Sequence, residues 1–88
     1  MEYLFGSEKN EQLKNERGFS FEDIIVALQQ DGLIHSEKHP NAGKYENQHV
    51  LYVKMTDGIY VVPCILGEDE IFLKTAFRSR VATKKFNS

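Results

Sequence analysis

The chain has 88 residues, of which 41% are hydrophobic and 27% are charged. This length and composition predict one small folded domain over residues 1–88 and exclude a second domain or a disordered chain. No apolar run approaches the roughly 20 residues that cross a bilayer, so we expect no contact with a membrane. Cys64 is the single cysteine, and the Met-Glu-Tyr-Leu start lacks the segments of a signal peptide, so we expect a cytoplasmic protein.

The first predicted element is a mostly exposed helix from Ser7 to Arg17. This segment is rich in Glu, Lys, Asn and Gln, with Ser7 placed to cap the helix and Gly18 placed to end it. Leu13 supplies nearly all of its apolar surface, so we expect the flanking segments to hold this helix in place.

A second helix is predicted to start near Phe21. Ser20 and Asp23 have the spacing of a capping box, and the residues just outside and inside the helix start have the spacing of a hydrophobic staple. The apolar residues that follow recur at helical spacing, which indicates that the helix covers a sheet. Gly32 is expected to end it as a left-handed cap.

A short strand is predicted from Leu33 to Ser36, followed by a long polar loop. The loop begins with His39-Pro40-Asn41-Ala42-Gly43 and continues to Gln48. Long loops in small domains are often functional, which makes His39 a candidate RNA contact. A solvated connector is the alternative interpretation.

Three further strands are predicted to form an antiparallel meander. They span His49 to Thr56, Ile59 to Leu66 and Glu70 to Phe77. Asp57-Gly58 predicts a type I′ hairpin between the first two. Pro63 has no backbone donor, so we expect it at a bulge or opposite an unpaired neighbour.

These turns assign the side chains to two faces. A two-residue Asp57-Gly58 turn and a two-residue Glu68-Asp69 turn place Tyr52, Lys54, Lys74 and Arg78 on one face. The other face is almost uniformly apolar, and we expect the second helix to cover it. Its residues are Leu51, Val53, Met55, Tyr60, Val62, Cys64, Leu66, Ile71, Leu73 and Phe77.

The charges are distributed unevenly along the chain. Residues 1–70 contain all 13 Asp and Glu with six Lys and Arg, a balance of −7, whereas residues 71–88 carry five Lys and Arg and no acidic residue. The overall charge of −2 therefore conceals a dipolar molecule. The basic end, which runs into a predicted short C-terminal helix, indicates a site for a polyanion.

Several short motifs follow one another in a recognisable order over nearly the whole chain. They are Phe5 with Ser7-Glu8-Lys9-Asn10, Arg17-Gly18-Phe19-Ser20-Phe21-Glu22-Asp23, Ile59-Tyr60-Val61-Val62, Ile71-Phe72-Leu73-Lys74-Thr75-Ala76-Phe77 and Ser79-Arg80-Val81-Ala82-Thr83. In their order and spacing they resemble the BrnT-type toxins of bacterial type II toxin–antitoxin systems.

This resemblance implies an α+β fold of RelE-like type, in which two N-terminal helices pack on a small antiparallel β-sheet with a short C-terminal helix. It also implies a metal-independent endoribonuclease that inhibits translation and is neutralised by a cognate antitoxin protein in a hetero-oligomer. The resemblance assigns a role in the site to one residue, Arg80, which lies in an Arg-x-Ala-Thr segment.

Cleavage of RNA without a metal or cofactor requires cations for the phosphate and groups that transfer protons. Arg78 and Arg80 suit the phosphate because guanidinium groups make forked hydrogen bonds to its oxygens. Lys54 and Lys74 are candidates for proton transfer if neighbouring cations crowd them, and Tyr52 could stack on a base or donate a proton. The four cations are the predicted catalytic residues.

Each of these assignments has a structural alternative. Lysines on the outer face of a strand are commonly only solvated. Lys84 is the third predicted RNA-binding residue, beside Tyr52 and His39, but a lysine at this position also suits an ordinary helix face near a C-terminus. His35, His39 and His49 are candidates for acid–base catalysis or for metal binding, but their spacing matches no zinc motif, so no metal site is predicted. The same basic surface would also suit a non-catalytic module that binds nucleic acid, or a surface that binds only an acidic protein.

Overall fold

The computed structural model describes residues 2–38 and 47–86, and this part of the chain forms six strands and three helices. The strands are β1 (Glu2–Phe5), β2 (Leu33–Lys38), β3 (Gln48–Met55), β4 (Gly58–Leu66), β5 (Glu70–Leu73) and β6 (Phe77–Ser79), and the helices are α1 (Ser7–Arg17), α2 (Phe21–Gln29) and α3 (Arg80–Phe86). The predicted α+β class is confirmed. Most of the predicted long loop, including His39, lies outside the described residues.

The strands form one sheet in the order β1-β5-β4-β3-β2, and β6 also pairs with β4. The pairs from β2 to β6 are antiparallel, as predicted. Strand β1 was not predicted, and it pairs in parallel with β5, from Glu2 opposite Glu70 to Phe5 opposite Leu73. The sheet is therefore mixed, and the expectation of a wholly antiparallel sheet was wrong at this edge.

The start of α2 has the predicted capping box. The Ser20 hydroxyl accepts a hydrogen bond from the Asp23 N–H at 3.2 Å, and the Asp23 carboxylate accepts one from the Ser20 N–H at 2.9 Å. At the start of α1 the prediction was wrong by one position, because Gly6 rather than Ser7 is the N-cap and no side chain caps that helix.

The end of α2 differs from the prediction. Asp31, not Gly32, adopts the left-handed conformation, with φ of 62°. The Gly32 N–H donates to the Ala27 carbonyl at 2.7 Å, which is the hydrogen bond of a Schellman motif that spans six residues. The left-handed position therefore falls on a residue whose Cβ makes this conformation unfavourable.

We expect Asp31→Gly to stabilise the fold by about 0.5–1 kcal/mol, because glycine adopts this conformation without the Cβ clash. Chemical denaturation of the two proteins measures the difference. Asp31→Ala is the matched control, since it removes the unfavourable carboxylate near the helix C-terminus but keeps the backbone strain. An equal gain for both variants would contradict the conformational explanation.

One face of the sheet, the inner face, packs against α1 and α2 and forms the core. Leu13 of α1 and Ile24 of α2 are buried on it, with 1% and 0% of their surface exposed. The predicted apolar strand residues lie there with one exception, Phe77, which is 40% exposed. Ala76 is buried in its place.

The β3–β4 hairpin turns one residue earlier than predicted. Met55 pairs with Gly58, so that Thr56 and Asp57 form the turn, and Tyr52 lies opposite Val61 instead of Pro63. The pairing is displaced by two residues. Because strand side chains alternate with a period of two, this displacement leaves every side chain on its predicted face.

A one-residue bulge separates β5 from β6. The Lys74 N–H donates to the Pro63 carbonyl at 2.9 Å, which confirms the predicted pairing, whereas Phe77 already lies opposite Val61. Two residues of one strand thus oppose one residue of β4. Pro63 has no N–H to return the bond, and Arg17 donates to the Ala76 carbonyl at 3.1 Å within the bulge.

The opposite face of the sheet, the outer face, is covered in part by α3. The Ile59 N–H donates to the Thr83 hydroxyl at 2.8 Å, and Ala82 of the helix is buried. The Phe86 ring reaches Tyr52 on β3, with 5.3 Å between the ring centroids. Helix α3 therefore lies along the outer face towards β2.

Candidate functional site

Four side chains meet on the outer face where β2, β3 and the end of α3 come together. They are His35, Glu37, Tyr52 and Phe86, and we call them the outer-face cluster. His35 and Glu37 are two residues apart on β2 and therefore project from the same face. Tyr52 lies directly opposite His35 in the β2–β3 pairing, just after a bulge in β2.

Glu37 connects the polar groups of the outer-face cluster. Its Oε2 lies 3.1 Å from Nε2 of His35, and its Oε1 accepts a hydrogen bond from the Tyr52 hydroxyl at 2.8 Å. Both carboxylate oxygens are thus engaged. The geometry fixes which nitrogen of the His35 ring faces Glu37.

These bonds change the acidity of two groups. The hydrogen bond from Tyr52 and the one from His35 hold the pKa of Glu37 below its ordinary value, with smaller contributions from the charges of His35 and Lys85, although partial desolvation opposes the shift. The same hydrogen bond to Glu37, together with burial and the carboxylate charge, raises the pKa of Tyr52. The cluster therefore favours an ionised carboxylate next to a protonated phenol.

Three rings of the outer-face cluster lie against one another. The His35 ring is 5.4 Å from Tyr52 and 5.6 Å from Phe86, measured between centroids. The Lys85 ammonium lies 5.5 Å from the centroid of the Phe86 ring. The side chains of His35 and Glu37 are 42% and 48% exposed. A ligand in solvent can therefore reach both the rings and the ionisable groups.

Lys54 is the predicted cation that adjoins this cluster along a strand, since it lies two positions after Tyr52 on β3 and is exposed. Arg80 and Lys84 are exposed on α3. Arg80 directly follows Ser79, and Ser79 and Lys54 lie on opposite sides of Ile59, with β4 between them. The predicted cations of the outer side therefore come from the hairpin end of β3 and from the helix.

Arg78 does not lie with the other predicted catalytic residues. It is opposite Tyr60 on the inner face, because the bulge reverses the direction of the side chains after Lys74. The Arg78 Nε donates to the Asp57 carbonyl at 2.7 Å, and the Tyr60 hydroxyl donates to the Asp57 carboxylate at 3.0 Å. The prediction that Arg78 shares a face with Lys54 was wrong, and its contacts hold the β3–β4 turn.

Lys74 stays on the predicted face but lies far from Lys54. Lys54 is opposite Ile59 and Lys74 is opposite Pro63, on the two sides of β4. At about 3.3 Å per residue and 4.8 Å between strands, their Cα atoms are about 16 Å apart. The structure therefore does not bring the four predicted catalytic cations together at one point.

Glu37 and Phe86 are the members of the cluster that no sequence pattern indicated. His35 was a candidate only as one of three histidines suited to acid–base catalysis or metal binding. The available signal was the His-x-Glu spacing in a segment predicted as a strand, since alternate residues share a face. The predicted strand ended at Ser36, one residue before Glu37, so this signal was missed.

A groove of about 800 Å³ opens on the inner side, between α2 and the β3–β4 hairpin. Phe19, Val26 and Met55 supply apolar surface, and Asp23 and Asp57 lie at its margin. The side chain of Asp23 is committed to the capping box and that of Asp57 to Tyr60. This groove therefore contributes less reactive chemistry than the outer-face cluster.

Cys64 is buried in the sheet, and desolvation raises the pKa of its thiol to about 11. It is therefore a core residue, as expected. Among the described side chains, no three of His, Cys, Asp and Glu lie close enough together to hold a metal ion. None of the helices in residues 2–38 and 47–86 has the length and apolarity needed to cross a membrane. Comparison with protein-family models, curated proteins and solved structures gives no match for this chain.

Proposed function

We propose that this chain is a metal-independent endoribonuclease that acts in the cytoplasm as the toxin of a type II toxin–antitoxin system. The observation that carries the proposal is the combination of exposed cations and accessible aromatic rings along one side of the molecule. Lys54, Arg80 and Lys84 supply the cations, and Tyr52 and Phe86 supply the rings.

This combination suits single-stranded RNA better than a generic acidic surface. Proteins that bind single strands place cations along the phosphate backbone and stack bases on aromatic side chains. The Arg80 guanidinium suits a phosphate because it stays charged and offers paired donors. The rings of Tyr52 and Phe86 lie 5.3 Å apart between centroids and are tilted by 52°, so a base would stack on one ring with the other beside it.

The RelE-like arrangement belongs to this proposal. Two N-terminal helices against one side of a sheet leave the other side, which α3 covers only in part, available for RNA. The cations and rings are found there. The core residues Leu13 and Ile24 of these helices support that assignment. A short helix at the C-terminal end then contributes Arg80 and Lys84 to the RNA-binding side.

The proposed antitoxin would bind the same side. Ile65, Phe72 and Phe77 are 37%, 38% and 40% exposed on the outer face. Lys74 lies in the segment between β5 and β6, the strands that carry Phe72 and Phe77. An acidic antitoxin segment with an apolar stripe would match this surface, and it would block RNA by covering the cations. A hetero-oligomer with the antitoxin is the expected inactive form.

The test is incubation of the purified protein with total RNA in EDTA, with fragments resolved on a denaturing gel. We expect the wild type to cleave RNA and Arg80→Ala to cleave it at least tenfold more slowly, because one phosphate-stabilising group is lost. Lys9→Ala, which removes the same charge from α1 on the other side of the sheet, is the matched control and should retain the wild-type rate.

Intact RNA with folded wild-type protein would overturn the catalytic proposal. Binding of a fluorescent single-stranded RNA, with an affinity that falls steeply as salt rises, would then identify a non-catalytic module. The absence of both cleavage and RNA binding would indicate a surface that binds only protein.

A further inference from the structure

The outer-face cluster places an imidazole, a carboxylate and a phenol in an arrangement suited to proton transfer, and the fold does not require this arrangement. His35 and Glu37 are a surface pair, and such pairs contribute little to stability. Yet Glu37 is bonded on both oxygens, and Phe86 packs against the two rings that flank it. A carboxylate that orients an imidazole is the usual way in which proteins prepare a histidine for proton transfer.

We propose that His35 is the general acid–base residue of the ribonuclease site and that Glu37 and Tyr52 position it; this assignment rests on the proposed function. Since Nε2 faces the Glu37 carboxylate at 3.1 Å, the neutral ring donates its Nε2–H to Glu37 and keeps the Nδ1 lone pair for a substrate proton. Tyr52 donates to the other carboxylate oxygen and thereby fixes its orientation.

The proposed reaction transfers one proton in two steps. Nδ1 of His35 takes the proton of an RNA 2′-hydroxyl while the 2′-oxygen forms a bond to the adjacent phosphorus. The bond between phosphorus and the 5′-oxygen breaks, and the imidazolium returns the proton to that oxygen. The products are a 2′,3′-cyclic phosphate and a free 5′-hydroxyl, with no change in oxidation state and no other reactant.

The neighbouring charges suit both stages. The ionised Glu37 stabilises the imidazolium after the first transfer, and the low pKa of this carboxyl keeps it ionised. Lys85 on α3 and Lys54 on β3 are the nearby cations for the extra charge on the phosphate. The groups that face His35 are thus Glu37 on its own strand, Tyr52 on β3, and Phe86 with the neighbouring Lys85 on α3.

The experiment measures cleavage of a defined single-stranded RNA in EDTA between pH 5 and 9. We expect His35→Ala to lower kcat about 100-fold or more, with less than a threefold change in RNA affinity and no loss of thermal stability. His49→Ala, a histidine of β3 opposite Cys64, is the matched control and should retain the wild-type kcat.

Glu37→Gln tests the positioning role separately. Loss of the carboxylate leaves the ring without the group that orients it and stabilises the imidazolium, so kcat should fall while the KM for RNA stays within threefold of the wild-type value. Tyr52→Phe should lower kcat less, because the phenol acts only through Glu37. A Glu37→Gln kcat equal to that of the wild type would overturn the positioning role.

The two proposals fail in different ways. If the wild type cleaves RNA and His35→Ala cleaves it at the same rate, the assignment of His35 is wrong and the ribonuclease proposal stands. If the folded wild type cleaves no RNA at any pH, the ribonuclease proposal fails, and the catalytic role of His35 fails with it.

Discussion

Asn10→Ala is expected to destabilise the fold by about 2–4 kcal/mol, out of a total that is about 5–15 kcal/mol for proteins in general. Asn10 is the polar residue of α1 that is almost completely buried, with 5% of its surface exposed. Its Oδ1 accepts a hydrogen bond from the Phe21 N–H at 2.7 Å, and its amide donates to the Glu22 carboxylate. Alanine would remove both bonds and leave a buried backbone N–H without an acceptor.

Thermal and denaturant unfolding measure this loss, which should lower Tm by about 10 °C or more for a domain of this size. Asn15→Ala is the matched control, since Asn15 lies on the same helix but is exposed. That change should alter stability by no more than about 0.5 kcal/mol. Equal effects of the two substitutions would show that Asn10 does not join α1 to α2 as described.

The Asn10 effect should also depend on pH. The hydrogen bond from Asn10 is the largest cause of the lowered pKa of Glu22, with a smaller contribution from Lys14. A carboxyl with a lowered pKa stabilises the fold above its unfolded-state pKa and loses this contribution as pH falls through its folded-state pKa. The difference between wild type and Asn10→Ala should therefore be larger at pH 7 than in acid.

Gly58→Ala is the second substitution for which we expect a large effect, a loss of about 2–4 kcal/mol. Gly58 has φ of 142°, a backbone conformation that residues with a side chain rarely adopt. A Cβ atom there would also lie 2.9 Å from the Thr83 hydroxyl and 3.0 Å from Nε of Arg78. Strain and collision therefore act together, and relief of the collision would displace α3.

Gly18→Ala separates these two contributions. Gly18 also has a positive φ, of 75°, but a Cβ atom there would meet nothing within 4 Å. Its cost should be about 1 kcal/mol, from backbone strain alone. Denaturant titrations of both variants measure the difference, and equal costs would mean that Thr83 and Arg78 move aside without penalty.

The parts of the fold that the sequence predicts well depend on local or strictly periodic signals. The capping box at Ser20 needs only residues within one turn, and the inner face needs only alternation along β3 and β4. The shift of the hairpin turn left the predicted faces of β3 and β4 correct, because a two-residue displacement preserves the alternation of side chains. Strand β1 escaped prediction because its four residues pair with β5, at the other end of the chain.

The candidate site was predictable only in part, for a related reason. Tyr52 and Lys54 follow from alternation along one strand, and they lie on the outer face as predicted. The association of His35 with Phe86 depends on how an edge strand and the last helix meet, which no local pattern specifies. Arg78 was misplaced because Lys74-Thr75-Ala76 carries no residue that marks a bulge.

That bulge also determines how the deletion of one residue would change the surface of the protein. Removal of a single codon between Lys74 and Ala76 would remove the bulge, so that β5 and β6 would pair with β4 in one continuous register. The residues of β6 that now face the helices would then face the opposite side, and the reverse. Phe77 would turn towards the helices and Arg78 towards solvent, without any change in either residue. A length variant at this position would therefore alter the surface chemistry of the molecule as much as several point substitutions together.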